Sequence, residues 1–143
     1  MQTFLPFSDF EKSAQVLDSK RLGKQRVEGM QILKAVLGEK RLDGEPYKGW
    51  VNHPATNMWK LYPDALKAYT NAMIKEWIAR GYNNNMVLYD IPQKYILPDW
   101  FGNETFHASH RSNLLRKDFE FYSQYAWDEG PDLPYFWPAD DLK

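Results

Sequence analysis

Cysteine is absent from the 143-residue chain, which removes disulfides, thiolate metal sites and cysteine nucleophiles together. Long apolar runs are missing too: none approaches the ~20 residues that a membrane helix needs. The opening residues, Met1-Gln2-Thr3-Phe4-Leu5-Pro6, lack a basic stretch followed by an apolar one, so no secretory leader is expected. Neither a GxxxxGKS/T loop nor a GxGxxG loop occurs, which leaves a nucleotide cofactor without support, and there is no GxSxG elbow for a serine nucleophile. No internal repeat or low-complexity tract interrupts the chain. What is present is an ordinary globular balance of 43% apolar and 26% charged residues. A chain of this length buries roughly 68–70% of its unfolded surface, so the expectation is one compact domain over residues 1–143 in a cytoplasmic setting.

Charge is distributed unevenly. The whole chain carries a formal −1, from 18 Lys and Arg against 19 Asp and Glu. From Asp118 onward there are seven acids and a single base, Lys143, so residues 1–117 hold a surplus of five positive charges. Lys20, Arg21, Lys24 and Arg26 put four bases into seven residues with no acid between them. Such a cluster suits phosphates, although charge alone equally describes a solvated helix face. Aromatic residues make up 16% of the chain, high for a small domain. Most must build the core, and the Pro134-Tyr135-Phe136-Trp137-Pro138 segment is different. Its two prolines exclude a helix interior or a central strand, leaving an extended stretch whose rings pack on the domain or face a ligand.

Helical spacing dominates the rest. Ser8 followed by Glu11 reads as a capping box opening a first helix that ends near Ser19. A second spans about 20–37, stopped by Gly38, with Leu22, Met30, Leu33, Val36 and Leu37 expected on the core arc. Arg21, Gln25 and Glu28 fall on another stripe beside Lys24. Residues 38–52 read as loop. Pro54 suits the first position of a short helix reaching about residue 62, and Pro63 starts a long one over 64–80 closed by Gly81. Residues 83–102 read as irregular, and a last helix is expected over 109–127. Strand signals are weak throughout, so the predicted fold is all-α, with long loops and the extended aromatic C-terminal segment.

Which residues carry chemistry is less obvious. His107 and His110 at i, i+3 lack a third ligand of metal-site spacing, so no metal is expected, and they read with Arg111 as polar contacts to phosphate. Glu28 on a basic helix face is, taken generically, a charge partner for its neighbours.

At these residues the chain resembles the pyrimidine-dimer DNA glycosylase/AP lyase family (endonuclease V-like), and more closely a bacterial and phage glycosylase-like branch of it. The shared landmarks are RLGKQRVE at 21–28 within the longer LDSKRLGKQRVE, NHP at 52–54, WIARGY at 77–82, HRSNLLRK at 110–117 and LPYFWP at 133–138. The resemblance implies an all-α domain that acts on duplex DNA without a cofactor, and its reaction has a physical logic. The N-terminal α-amine attacks C1′ of the damaged nucleotide, expels the base, forms an imine, and β-elimination then cuts the strand. A chain terminus suits this, since a pKa of about 7.7–8.0 leaves roughly a third of it unprotonated at pH 7.5, against about 0.1% for a lysine. Carried over residue by residue, Met1 is the nucleophile and Glu28 the acid/base and electrostatic partner. Arg21, Lys24, Gln25, Arg26, His110, Arg111, Arg116 and Lys117 are expected to contact DNA, with Tyr135 and Trp137 near the sugar–base gap. A monomer is expected. The chain departs from the family at three positions: Val27 and Gln31 stand where the family has arginines, and bulky Gln2 stands where the phage enzyme exposes a small residue. Two other readings stay open, a catalytically silent nucleic-acid-binding module and a protein-interaction domain using the acidic C-terminus.

Overall fold

The computed structural model describes residues 2–38 and 53–137. Met1, most of the stretch read as loop (39–52) and residues 138–143 lie outside them. Among the described residues there are α-helices and one 3-10 turn but no strand, so the fold is all-α. The helices are α1 (Phe10–Val16), α2 (Ser19–Val36), α3 (Pro54–Trp59), α4 (Pro63–Ala79), α5 (Glu104–Lys117) and α6 (Phe119–Tyr122).

The first helix is shorter than its sequence suggests, and Asp9 rather than Ser8 caps it, accepting the Lys12 N–H at 2.8 Å. Leu17 is extended and breaks the helix, and Asp18 immediately caps α2 by accepting the Arg21 N–H. The α2 core stripe is Leu22, Gln25, Gly29, Ile32 and Leu33. Of the predicted arc, Met30 and Val36 are only half-buried and Leu37 is 49% exposed. The true stripe runs through a glutamine and a glycine, which send no apolar signal. Gly29 is there because α2 and α4 approach closely: a Cβ at that position would run into the Thr70 side chain, and one at Gly23 would lie 2.8 Å from the Trp77 ring.

Proline and glycine place the other boundaries as expected. Pro54 and Pro63 open α3 and α4, and Gly81, at φ +88°, lets the chain turn out of α4 in a left-handed conformation that costs glycine nothing. Helix α5 begins five residues earlier than predicted, capped by Asn103, whose side chain accepts from Thr105 N and Phe106 N. It ends at Lys117 because Asp118 leaves helical geometry and caps α6 instead.

One hydrophobic core binds these elements, built on Leu5, Leu22, Trp59, Leu66, Tyr69 and Phe106, all fully buried. Helix α5 contributes an unusual surface to it. His107, Ser109, His110, Arg111, Ser112 and Asn113 are all buried between Phe106 and the Leu114–Leu115 pair, so the helix meets its neighbours through polar groups as well as apolar ones. Those polar groups organise both ends of the described chain.

Candidate active site

The chain's beginning is not a free tail. Residues 2–5 run through the interior with Gln2 at 6%, Thr3 at 0%, Phe4 at 5% and Leu5 at 0% exposure. A non-helical segment so deeply buried must find partners for its backbone groups in side chains. Leu5 is held on both sides by α5: its N–H donates to His110 Nδ1 at 2.9 Å, and its carbonyl lies 2.8 Å from His107 Nδ1. The other nitrogen of His107 accepts the Gly102 N–H, which fixes its proton on Nδ1. Phe4 N–H donates to Gln25 Oε1 at 2.9 Å, and the Tyr69 hydroxyl bridges Phe4 O and that same amide oxygen. Trp59 donates to Thr3 Oγ1, and Arg111 Nη1 donates to Pro6 O at 2.7 Å. Burying Phe4 and Leu5 adds roughly 1.5–3 kcal/mol each to the anchoring.

That anchoring delivers Gln2 to Glu28. The Gln2 backbone N–H lies 3.3 Å from Glu28 Oε2, and Gln25 Nε2 donates to the same oxygen at 3.1 Å. Glu28 is half-buried in a cleft of about 340 Å³. Gln2, Gln25 and Tyr135 form its walls, and Lys20, Arg21, Lys24 and Lys117 surround it with positive charge. The positive field of these four cations attracts phosphates to the mouth of the cleft.

Residues 130–136 run along α5, which holds them beside this cleft. Ser112 Oγ donates to Gly130 O and accepts from Leu133 N, while the Phe136 N–H reaches Ser109 Oγ. Arg116 donates to the carbonyls of Pro131 and Leu133. Tyr135 is thereby brought into the cleft wall, with Trp137 5.7 Å from it between ring centres. Trp137 also packs edge-on against His53, at 6.0 Å.

The expected site residues therefore divide. Glu28, Arg21, Lys24, Lys117 and Tyr135 share the cleft, with Trp137 behind Tyr135. Arg21 also pairs with Asp18 at 3.2 Å. Met1 lies outside the described residues. Gln25 is only 1% exposed and bonds Phe4 N–H, the Tyr69 hydroxyl and Glu28. Arg26 points to the other flank of α2, donating to Asn84 Oδ1 at 2.6 Å and lying 4.5 Å over the Trp77 ring. His110 is fully buried, and burial first, then His107, pushes its pKa down to about 3, so it is neutral and occupied by Leu5. Arg111 is 8% exposed and pairs with Glu104 and Glu129. Burial works against its charge, but those two carboxylates outweigh it. Arg116 donates to the carbonyls of Pro131 and Leu133 while staying exposed. His110 and Arg111 are buried among protein partners, whereas Arg26 and Arg116 have protein partners and keep part of their surface open. Sequence reading missed Lys20 as a cleft residue, though it belongs to the basic cluster, and missed His107 and His110 as clamps on Leu5.

Among the described residues no group of three or more His, Asp or Glu is arranged to hold a metal ion, and no helix is long and apolar enough to cross a membrane. Compared with protein families, residues 1–90 match the model for the family described as pyrimidine dimer DNA glycosylase. No curated protein and no solved structure matches the chain.

Proposed function

The chain belongs to the pyrimidine dimer DNA glycosylase family, and on that premise we propose that it excises damaged or modified pyrimidines from duplex DNA through an imine at its own N-terminal amine, with AP-lyase activity following. The observation that carries this reading is the Gln2 N–H on Glu28 Oε2, at the end of a segment braced by α2, α3, α4 and α5. Buried backbone groups need partners wherever they lie, and here those partners also hold the Gln2 N–H on a carboxylate, the placement that amine chemistry needs.

The neutral Met1 amine attacks C1′, the electron pair of the C1′–N1 bond leaves with the pyrimidine, and Glu28 takes the proton that the nitrogen loses. As the sugar ring opens to the protonated imine, Glu28 passes that proton to the departing O4′; the ionised Glu28 then takes the C2′ proton, and the electron pair it leaves expels the 3′ phosphate by β-elimination. Cations around the cleft favour the neutral amine and receive the flanking phosphates. Reaching C1′ requires the nucleotide or its opposite base to leave the stack.

The test compares wild type with Glu28→Gln on a labelled duplex. The enzyme reading predicts a loss of turnover of about 10²-fold or more with DNA affinity kept within about threefold. Binding should also fall with salt at a log–log slope of about −3 to −4, the value for four cations. A wild type without turnover, whose binding ignores Glu28→Gln, would instead be a silent binding module.

A further inference from the structure

The two carboxylate oxygens of Glu28 are held differently. Oε2 accepts from the Gln2 backbone N–H at 3.3 Å and from Gln25 Nε2 at 3.1 Å, whereas Oε1 accepts from no described residue. A proton arriving at Oε2 has two N–H donors to displace, and one arriving at Oε1 has none. The oxygen that exchanges protons in the proposed reaction is therefore Oε1, and its position depends on what fixes Oε2.

Gln25 Nε2 serves Oε2 only while the other end of its carboxamide is held. Gln25 Oε1 accepts the Phe4 N–H at 2.9 Å and lies 2.5 Å from the Tyr69 hydroxyl, nearer than the hydroxyl's second neighbour, Phe4 O, at 3.0 Å. Turning the amide over would set its NH2 group against the buried Phe4 N–H. These partners thus keep the oxygen inward and the nitrogen towards Glu28. A hydrogen bond to an amide oxygen also strengthens the donors on its nitrogen. The hydroxyl is a permanent donor: burial first, then the Glu28 charge, push the Tyr69 pKa well up. Its ring is fixed as well. Tyr69 is fully buried on α4, with Phe10 at 6.0 Å and Trp59 at 5.8 Å between ring centres.

We infer that Tyr69 is a positioning residue for Glu28: its hydroxyl, acting through Gln25, holds Oε2 in place and leaves Oε1 to exchange protons. The inference rests on the glycosylase reading and adds to it a core residue that touches neither DNA nor the reacting atoms. The chain Tyr69–Gln25–Glu28 refers the carboxylate to the packed interface of α2 and α4 rather than to its own rotamers. Each proton that Glu28 moves (from the amine, to O4′ and from C2′) passes through Oε1. A carboxylate free to turn therefore loses rate rather than affinity.

A double-mutant cycle tests this. Tyr69→Phe removes the hydroxyl and keeps the ring. Glu28→Gln keeps an oxygen for both N–H donors and loses the proton exchange. Thermal unfolding fixes a temperature at which all variants are folded, and single-turnover cleavage of an abasic duplex and duplex affinity are measured there. Tyr69→Phe should cleave about 10- to 100-fold more slowly than wild type, with affinity kept within about threefold. In the Glu28→Gln background the same change should cost less than about twofold, because the group through which it acts is gone. If Tyr69→Phe fails to fold, Gln25→Leu breaks the chain at its next link and takes its place in the cycle. A Tyr69→Phe rate within about threefold of wild type would overturn the inference, as would equal losses in both backgrounds, which mark a structural role. A wild type that leaves the abasic duplex uncut would instead remove the amine mechanism itself, and the inference falls with it.

Discussion

Gln25 separates an internal brace from a DNA contact. Its side chain accepts from the buried Phe4 N–H and lies 2.5 Å from the Tyr69 hydroxyl, and its amide nitrogen donates to Glu28. Gln25→Ala strips all three. The Tyr69 hydroxyl keeps Phe4 O as a partner at 3.0 Å, so its loss is small. The Phe4 N–H is left buried without an acceptor, at about 1–3 kcal/mol. The space vacated in a site only 1% exposed adds about 1 kcal/mol more. A total of about 3 kcal/mol lowers the Tm of a domain this size by about 10 °C. Catalysis should suffer as well, by about 10–100-fold, because Glu28 and residues 2–4 lose their shared brace. DNA affinity and its salt slope should stay where they are, since Gln25 carries no charge and faces inward. Differential scanning calorimetry, salt-titrated binding and single-turnover cleavage read the three quantities. A variant with wild-type Tm and weakened DNA binding would refute the brace and restore the contact role.

Three further outcomes follow from the packing and the titrating groups. Gly29→Ala should destabilise by about 1–2 kcal/mol in urea unfolding: the ~1 kcal/mol gain in helix propensity is outweighed by the clash with Thr70, which is fully buried and bonded to Leu66 O. A stabilised variant would show that α2 and α4 have room to separate. Arg111→Ala should cost about 2–4 kcal/mol, because it leaves Glu129 without its partner and Pro6 O without its donor, while the salt slope of DNA binding stays unchanged. Acid should weaken the fold before the carboxylates titrate. The folded pKa of His110 is about 3 against ~6.5 unfolded, so the unfolded chain binds more protons between these values. Stability is then complete above about pH 6.5 and falls as pH drops, with this ring contributing up to about 1.4 kcal/mol per pH unit. His107, also lowered by burial, adds to the same trend. Urea unfolding at pH 7, 6 and 5 should show the decline, and His110→Gln should flatten it; a flat wild-type profile would contradict the burial of a neutral His110.

The helices α2, α3 and α4 were legible because their ends are written in local chemistry, by prolines at first positions and glycines past the last turn. Helix α5 was misplaced for the opposite reason. Between the buried Phe106 and Leu114 its buried residues are His, Ser, Arg and Asn, so apolar periodicity has nothing to follow across two turns of the helix. The same blindness hid Gln25 and Gly29 in the core stripe of α2. For the site, the spacing of Arg21, Lys24 and Glu28 on one helix already placed a carboxylate among cations. What the spacing does not contain is which charged side chains are consumed internally. Arg111 and Arg116 look like any other basic residues until Glu129 and the carbonyls of Pro131 and Leu133 are seen against them. The pairing of residues 5–6 and 130–136 with α5 has no local signature at all.

The central claim is that the chain's own amine, delivered beside Glu28, forms the covalent intermediate. Borohydride trapping on an abasic duplex and a UV-irradiated duplex, with peptide mapping of the adduct and the N-terminus confirmed free by mass, tests it directly. The account predicts an adduct at Met1 that is strongly reduced in Glu28→Gln. An adduct mapped to a cleft lysine such as Lys20, Lys24 or Lys117, or none on either duplex, would contradict it.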